Sequence, residues 1–242
     1  MANAELWDRR LIRPRIYGGQ ERTIEQLGGY AVQIYLGNRL ICGGTLVSSR
    51  YIVTSAHCFA SVSDYTQYHV VAGETETAMY FPTEDSKNSV LKLKIHPKYE
   101  RTQFIADIAV VSLSIPYKKP NVNYLPLCSQ KPAAGNVATV SGWGVSEYYH
   151  DTLRAMKVPL IDETECSRKM ERTMPDNVIC AAGYNGRTLC HGDSGGPLVI
   201  NGELCGISTW TSKCGNHDMP DVFMSVYYYR DFINKTIADM RK

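Results

Sequence analysis

The sequence has no apolar run approaching the ~18 residues that a membrane-spanning helix requires, so none is expected. It has no excess of one charge either: 26 Lys and Arg stand against 24 Asp and Glu, a formal net charge of +2. A nucleic-acid binder needs a concentrated basic face, and this balance lends it no support. None of the eight cysteines sits in a CxxC, which argues against a zinc ribbon or a thioredoxin-type pair. There is no low-complexity tract and no strict repeat, and helical periodicity is scarce. Residues 1–15, MANAELWDRRLIRPR, carry Arg9, Arg10, Arg13 and Arg15 but no apolar core of the length a signal peptide needs.

What remains is an ordinary globule of 242 residues, 44% apolar and 21% charged, which rules out a disordered chain. The length suggests one to two domains at roughly 150 residues each, with about 70–75% of the unfolded surface available for burial. The cysteine count is even, in a chain too large to need staples. That points to structural disulfides and an oxidising compartment. The missing signal core conflicts with this. The simplest reconciliation is a chain that starts after signal removal, with Met1 added for expression. A cytoplasmic protein is the alternative, and the cysteines argue against it.

Period-two alternation dominates. In VLKLKI (90–95), Leu91, Leu93 and Ile95 are expected on one face and Lys92 and Lys94 on the other. In YAVQIYL, Tyr30, Val32, Ile34 and Leu36 share a face. Further strand candidates are 51–54, 68–71, 108–113, 137–142, 197–200 and 205–210. Turn signals lie between them at Gly28-Gly29, Gly43-Gly44, Pro82, Asn185-Gly186 and Asn201-Gly202. Many short strands at fairly regular spacing predict an all-β barrel or sandwich. Helix is expected over Arg230 to Lys242, where Phe232, Ile233, Ile237 and Met240 recur at helical spacing, and in a short segment capped by Asp162. Pro116, Pro120, Pro126 and Pro132 mark a linker between two β units of similar size.

Three segments carry candidate chemistry: TSAHC (54–58), DIAVV (107–111) and CHGDSGGP (190–197). They place His57, Asp107 and Ser194 in that chain order. A serine hydroxyl is a poor nucleophile and needs a base. A histidine with an ordinary pKa near ~6.5 can take its proton and return it to the leaving group. A buried carboxylate can fix the histidine tautomer and stabilise the imidazolium. Glycines beside the serine admit the substrate backbone and aim N–H groups, here those of Gly192 and Ser194, at a developing oxyanion. Taken singly, the histidine could be structural, the aspartate a turn residue and GDSGG a glycine turn; order and flanks together favour catalysis. His69, His96, His150, His191 and His217 lack such context and are read as surface or loop residues. GDSGG also fits the G-x-S-x-G elbow of α/β-hydrolases, but that fold needs an acid and then a histidine downstream and βα alternation. Only His217 follows Ser194 and the alternation is absent, so this reading is rejected.

On these motifs, with RIYGG, ICGGTLVS, SGWG (141–144) and ISTW, the chain from Ile16 onward resembles the chymotrypsin/trypsin-type serine proteases. The resemblance implies an all-β fold of two packed six-stranded antiparallel barrels with a C-terminal helix and the active site between the barrels. It implies a propeptide over 1–15 and a peptidase domain over 16–242. In that domain the first barrel covers about 16–117, the linker about 118–132, the second barrel about 133–228 and the helix about 229–242. It implies a secreted, monomeric serine endopeptidase, made as a zymogen and cut after Arg15. The freed Ile16 ammonium would then pair with Asp193, although Tyr17 replaces the more usual small aliphatic residue. Disulfides Cys42–Cys58, Cys166–Cys180 and Cys190–Cys214 carry over by position, leaving Cys128 and Cys205 to each other, a bridge uncommon in the family. The implied partners are protein or peptide substrates, an activating protease and protein protease inhibitors, with no nucleic acid and no membrane.

The specificity pocket departs from the family. Thr188 stands where trypsin-like enzymes carry Asp, followed by Leu189. Beyond Trp210, Thr211 and Asp221 replace the two wall glycines. Asp221 either draws a cationic substrate side chain or bonds to Thr188 and fills the pocket, so basic, small and aromatic preferences stay open. Asn234-Lys235-Thr236 is a glycosylation sequon. Glu74, Glu76 and Glu84 lie in a loop that binds calcium in some relatives, but Phe81 stands where a ligand is expected; the expectation is a solvated acidic loop and no required metal or cofactor. The competing function is a weak or inactive homologue that binds partners through the same cleft.

Overall fold

A computed structural model describes residues 16, 19–62, 64–77, 86–100, 105–144, 152–183, 188–190, 192–211 and 218–242. Six strands close the first barrel: β2 (Ala31–Leu36), β3 (Arg39–Leu46), β4 (Tyr51–Thr54), β5 (Tyr68–Ala72), β6 (Lys87–Ile95) and β7 (Ala109–Leu113). Around the ring they run β2-β3-β4-β7-β6-β5, all antiparallel. A second ring of β8 (Val137–Gly142), β9 (Arg154–Ile161), β10 (Val178–Ala181), β11 (Pro197–Ile200), β12 (Glu203–Trp210) and β13 (Asp221–Ser225) repeats that order as β8-β9-β10-β13-β12-β11 and closes through β11–β8. The short β1 (Gln20–Glu21) precedes the first barrel in sequence but pairs with β9 of the second. A one-turn helix α1 (Ile24–Leu27) leads into β2, α2 (Glu163–Met170) follows β9, and α3 (Val226–Met240) ends the fold. Asp162 caps α2 by accepting the Glu165 N–H, as expected.

The apolar run at 108–113 has a two-sided explanation. Ala109, Val111 and Leu113 fill the first barrel, whereas Ile108 and Val110 pack into the cluster of the second. In β4, Ile52 and Val53 divide the same way. A strand buried on both faces reads as continuous apolar sequence rather than alternation. β2 behaves likewise: Ala31, Gln33 and Tyr35 are buried along with Val32 and Ile34.

Three expectations are corrected. Gly43-Gly44 is not a turn but the middle of β3. A side chain on Gly44 would run into Ile52 and Val32, and one on Gly43 would press the Gly196 backbone, so these glycines mark close approach inside a strand. The alternation in 90–95 breaks because the β6–β7 register shifts between Val90 and Lys92. Val90 is buried and Leu91 turns out to solvent, with Leu93 and Ile95 resuming the inner face. His69 is no loop residue: it lies in β5, half-buried and stacked on Tyr35 at 5.0 Å. Pro82, Asn185-Gly186, His150, His191 and His217 lie outside the described residues.

Cys42–Cys58, Cys166–Cys180 and Cys128–Cys205 are bonded as expected. Leu127 bridges Leu204 beside the third of these, which brings the linker cysteine to β12. Cys190 is disulfide-bonded, and its expected partner Cys214 lies outside the described residues.

Candidate active site

His57 sits in a 3-10 turn (Ala56–Phe59) that leaves the end of β4, anchored by the Cys42–Cys58 bridge. Asp107 precedes β7, the strand paired with β4, so antiparallel pairing brings the two side chains together. The contact is two-pronged. The His57 backbone N–H donates to Asp107 Oδ1 at 2.8 Å, and His57 Nδ1 lies 2.7 Å from Oδ2. Donation from Nδ1 leaves Nε2 of a neutral imidazole as the acceptor, the tautomer a general base requires. A third donor comes from the other barrel: the Thr209 hydroxyl meets Asp107 Oδ2 at 2.7 Å. Burial alone raises the Asp107 carboxyl, but the His57 hydrogen bond and charge, with Thr209 and the His57 N–H, outweigh it and hold the group below its usual range.

The turn before Asp107 is unusual. Ala106 is buried with φ of 51°, in the left-handed region that alanine rarely occupies at a cost of about 1–2 kcal/mol. The Ile108 N–H closes back on the Ala106 carbonyl at 2.7 Å, so Asp107 stands at the tip of a tight reversal.

Ser194 lies in the loop between Cys190 and β11. The Gly43 N–H bonds its carbonyl at 2.8 Å and the Gly195 N–H bonds the Ser208 carbonyl at 2.7 Å. Gly195 has φ of 78°, and a side chain there would collide with Thr54 and the Gly43 carbonyl, so only glycine fits. The structure thus joins His57, Asp107 and Thr209 directly and holds the half-buried Ser194 in the neighbouring loop. Among the described residues no hydrogen bond links the Ser194 hydroxyl to His57. The N–H groups of Gly192 and Ser194 likewise donate to no acceptor among them.

Two buried carboxylates flank this loop on consecutive amides. The Leu189 N–H donates to Asp221 Oδ2 and the Cys190 N–H to Asp193 Oδ2, each at 2.9 Å. Gly144 N–H holds the other Asp193 oxygen at 3.0 Å. Asp193 is 1% exposed; burial pushes its carboxyl up to about 7 despite these amides, and the charge of Asp221 adds to the rise. Asp221 is 2% exposed and pushed up to about 6 by burial, against the pull of the Leu189 N–H and the nearby Thr211 hydroxyl. That hydroxyl donates to the Leu189 carbonyl at 3.4 Å, and among the described residues Asp221 Oδ1 has no hydrogen-bond partner. No bond joins Asp221 to Thr188 among the described residues. Thr188 and Leu189 are buried beside it, and Trp210 packs on the second core.

Ile16 is fully buried in the second barrel's cluster, whereas Arg15 and Tyr17 lie outside the described residues. Asn234 is exposed on α3 and Thr236 of its sequon is buried. Glu74 pairs with Lys119 at 3.7 Å and Glu76 bridges Thr152; Glu84 and Phe81 are outside the described residues.

Reasoning from the sequence missed Thr209, Ala106 and Tyr229. Thr209 lay inside the ISTW motif but was not assigned a role. Nothing local marks the other two.

The family model described as Trypsin matches residues 16–233. Trypsin-3 of Salmo salar is 33% identical over 230 residues, covering 93% of both chains. Serine protease 1 of Canis lupus familiaris is 34% identical, covering 81% of this chain and 80% of its own. Among solved structures, neuropsin, a serine protease expressed in mouse brain, superposes with a TM-score of 0.80 at 29% identity, over 91% of this chain and 99% of its own. Match and likeness both span the barrels and the seam that carries His57, Asp107 and Ser194, and on that ground the chain belongs to the trypsin family of serine-type endopeptidases, which act on protein substrates.

Proposed function

We propose that the chain is a secreted zymogen whose processed form hydrolyses peptide bonds with Ser194 as nucleophile, His57 as general base and then acid, and Asp107 as the group that orients it. The observation that carries this reading is the His57–Asp107 pair, closed by two bonds with the tautomer set for Nε2 to accept a proton. The N–H groups of Gly192 and Ser194, unengaged among the described residues, are the donors an oxyanion would use. The disulfides support an oxidising destination. Activation by cleavage after Arg15 is supported by Asp193, a buried carboxylate raised toward neutrality that a newly freed Ile16 ammonium would stabilise in its charged form.

Asp221 extends the reading to the substrate. A buried carboxylate with one oxygen unpartnered among the described residues is costly alone and becomes favourable when a cation reaches it, which supports lysine or arginine before the scissile bond.

The test is processing with trace trypsin, confirmation of an Ile16 terminus by mass, removal of the trypsin and profiling of a mixed peptide library, with Ser194→Ala alongside. Cleavage after basic residues that appears only on processing and only with Ser194 is expected. Silence from a correctly processed chain would overturn the reading in favour of a partner-binding homologue.

A further inference from the structure

Tyr229 lies on α3, at the far end of the sequence from the catalytic candidates of the first barrel, yet its hydroxyl reaches the residue before Asp107. The Ala106 N–H donates to Tyr229 Oη at 2.9 Å, and the Asn177 side-chain amide donates to the same oxygen at 2.8 Å. All three residues are buried, Ala106 at 1%, Tyr229 at 4% and Asn177 at 5% exposure. Asn177 is itself fixed by its carbonyl, which accepts the Ser225 N–H at 2.9 Å just before α3. The Tyr229 ring is held independently of its hydroxyl by edge contacts with His96 and Tyr228, at 5.2 and 4.9 Å.

Ala106 is the strained residue of this turn, at φ of 51°. A left-handed alanine persists only where its surroundings over-determine it, and such strain gathers at functional sites. Its N–H, buried in this conformation, requires an acceptor. Without one, a rotation about the Ala106 backbone relieves the strain and swings the next residue, which is Asp107. We propose that Tyr229 is a positioning residue for the catalytic acid: its hydroxyl, set by Asn177, holds the left-handed step at Ala106 that presents the Asp107 carboxylate to His57. The clamp spans the barrels, because α3 and Asn177 belong to the second and Asp107 to the first. It works with Thr209, which reaches Asp107 from β12 in the same half: one contact fixes the carboxylate and the other fixes the backbone that carries it.

The assignment rests on the triad reading above, and its test separates the two. In Tyr229→Phe the ring contacts stay and only the hydroxyl is lost. With the processed chain, and with active sites counted by a covalent serine reagent, kcat should fall about 10- to 100-fold per active site while KM changes less than about twofold. The acid limb of the kcat/KM pH profile should move to lower pH relative to the unsubstituted chain as Asp107 stabilises the imidazolium less well. The low-field Nδ1 proton of His57, followed by NMR in the uncut and processed chain, should move in step, and this readout needs no turnover. Adding Ala106→Asn, which tolerates the left-handed region, to Tyr229→Phe should restore part of kcat. If kcat per active site, the pH profile and the Nδ1 proton all stay at wild-type values and only the thermal midpoint drops, Tyr229 is a packing residue and the proposal is overturned. A loss of kcat that Ala106→Asn leaves untouched overturns it too. Parallel Asp107→Asn and Ser194→Ala variants that kept full activity would overturn the triad reading instead, and the NMR signal would still decide whether Tyr229 orients Asp107.

Discussion

In the first barrel the candidate catalytic groups hang on regular strands: His57 follows β4, Asp107 precedes β7, and the β4–β7 ladder sets their spacing. In the second barrel, built with the same strand order, Ser194 sits in a loop held by one backbone bond to Gly43 and two to Ser208, with buried carboxylates on its approach. One half holds its groups by strand pairing and side-chain bonds. The other depends on glycine geometry and on charges buried at a cost. The comparison teaches that the His57–Asp107 pair starts from a strand ladder and is completed by contacts from the other barrel, whereas the Ser194 loop rests on turn geometry and buried carboxylates; on the proposed reading, the loop is the part that processing or substrate binding would change.

The sharpest way to break this comparison is to remove each half's contribution in turn. Ser194→Ala should lower kcat of the processed enzyme by about 10^5- to 10^6-fold, measured on the best library substrate with correct processing verified by mass. Asp107→Asn should cost about 10^4-fold through the wrong His57 tautomer, with a melting temperature close to wild type. If the second loss were only a few-fold, the first barrel would not be setting the tautomer.

The pocket carboxylate comes next. Asp221→Ser should lower kcat/KM for lysine and arginine substrates by about 100-fold and leave uncharged ones within a few-fold; equal losses on both would show that Asp221 shapes the pocket without reading charge. The same group makes a pH prediction. Its carboxyl is raised to about 6 in the folded chain, so the fold binds that proton more tightly than the unfolded chain does. Its contribution is therefore most favourable below the unfolded pKa near ~3.9 and is lost as pH rises toward and through 6. Between pH 4 and pH 7, the uncut Ser194→Ala chain should lose about 2 kcal/mol relative to the same chain carrying Asp221→Asn, read from urea midpoints. Parallel curves would refute it. Asp193, raised by the same cause, contributes in the same direction in the uncut chain.

Thr209→Val is the mildest cut across the seam. Loss of one of three donors to Asp107 should lower kcat about 5- to 20-fold, with KM unchanged. A loss as large as that of Asp107→Asn would mean that Thr209 decides the carboxylate's orientation rather than supporting it.

Reading the strands from sequence succeeded where burial is one-sided or where a short apolar run stood between turns, as at 51–54 and 197–200. It failed at β3, where a glycine pair reads as a turn but serves close packing, and at β9, where Pro159 interrupts the pattern. β13 was hidden by its start, an aspartate behind a proline. The bulge at Val90–Lys92 could not be foreseen because a shift of one residue in pairing has no local signature.

The sequence by itself determined the chemistry on offer: the His, Asp and Ser segments in family order, the glycines around Ser194 and the substituted pocket residues. These were readable because side-chain type and spacing are local properties. Only the tertiary structure decided what each group meets. It brought Thr209 to Asp107 and Tyr229 to Ala106, left one oxygen of Asp221 without a partner among the described residues and set two carboxylates on consecutive amides. Such contacts join residues as many as 123 positions apart, and they exist only because two closed barrels pack their outer faces into one seam. Burial there changes the free energy of every charge and every unpaired N–H, and burial is a property of the assembled fold.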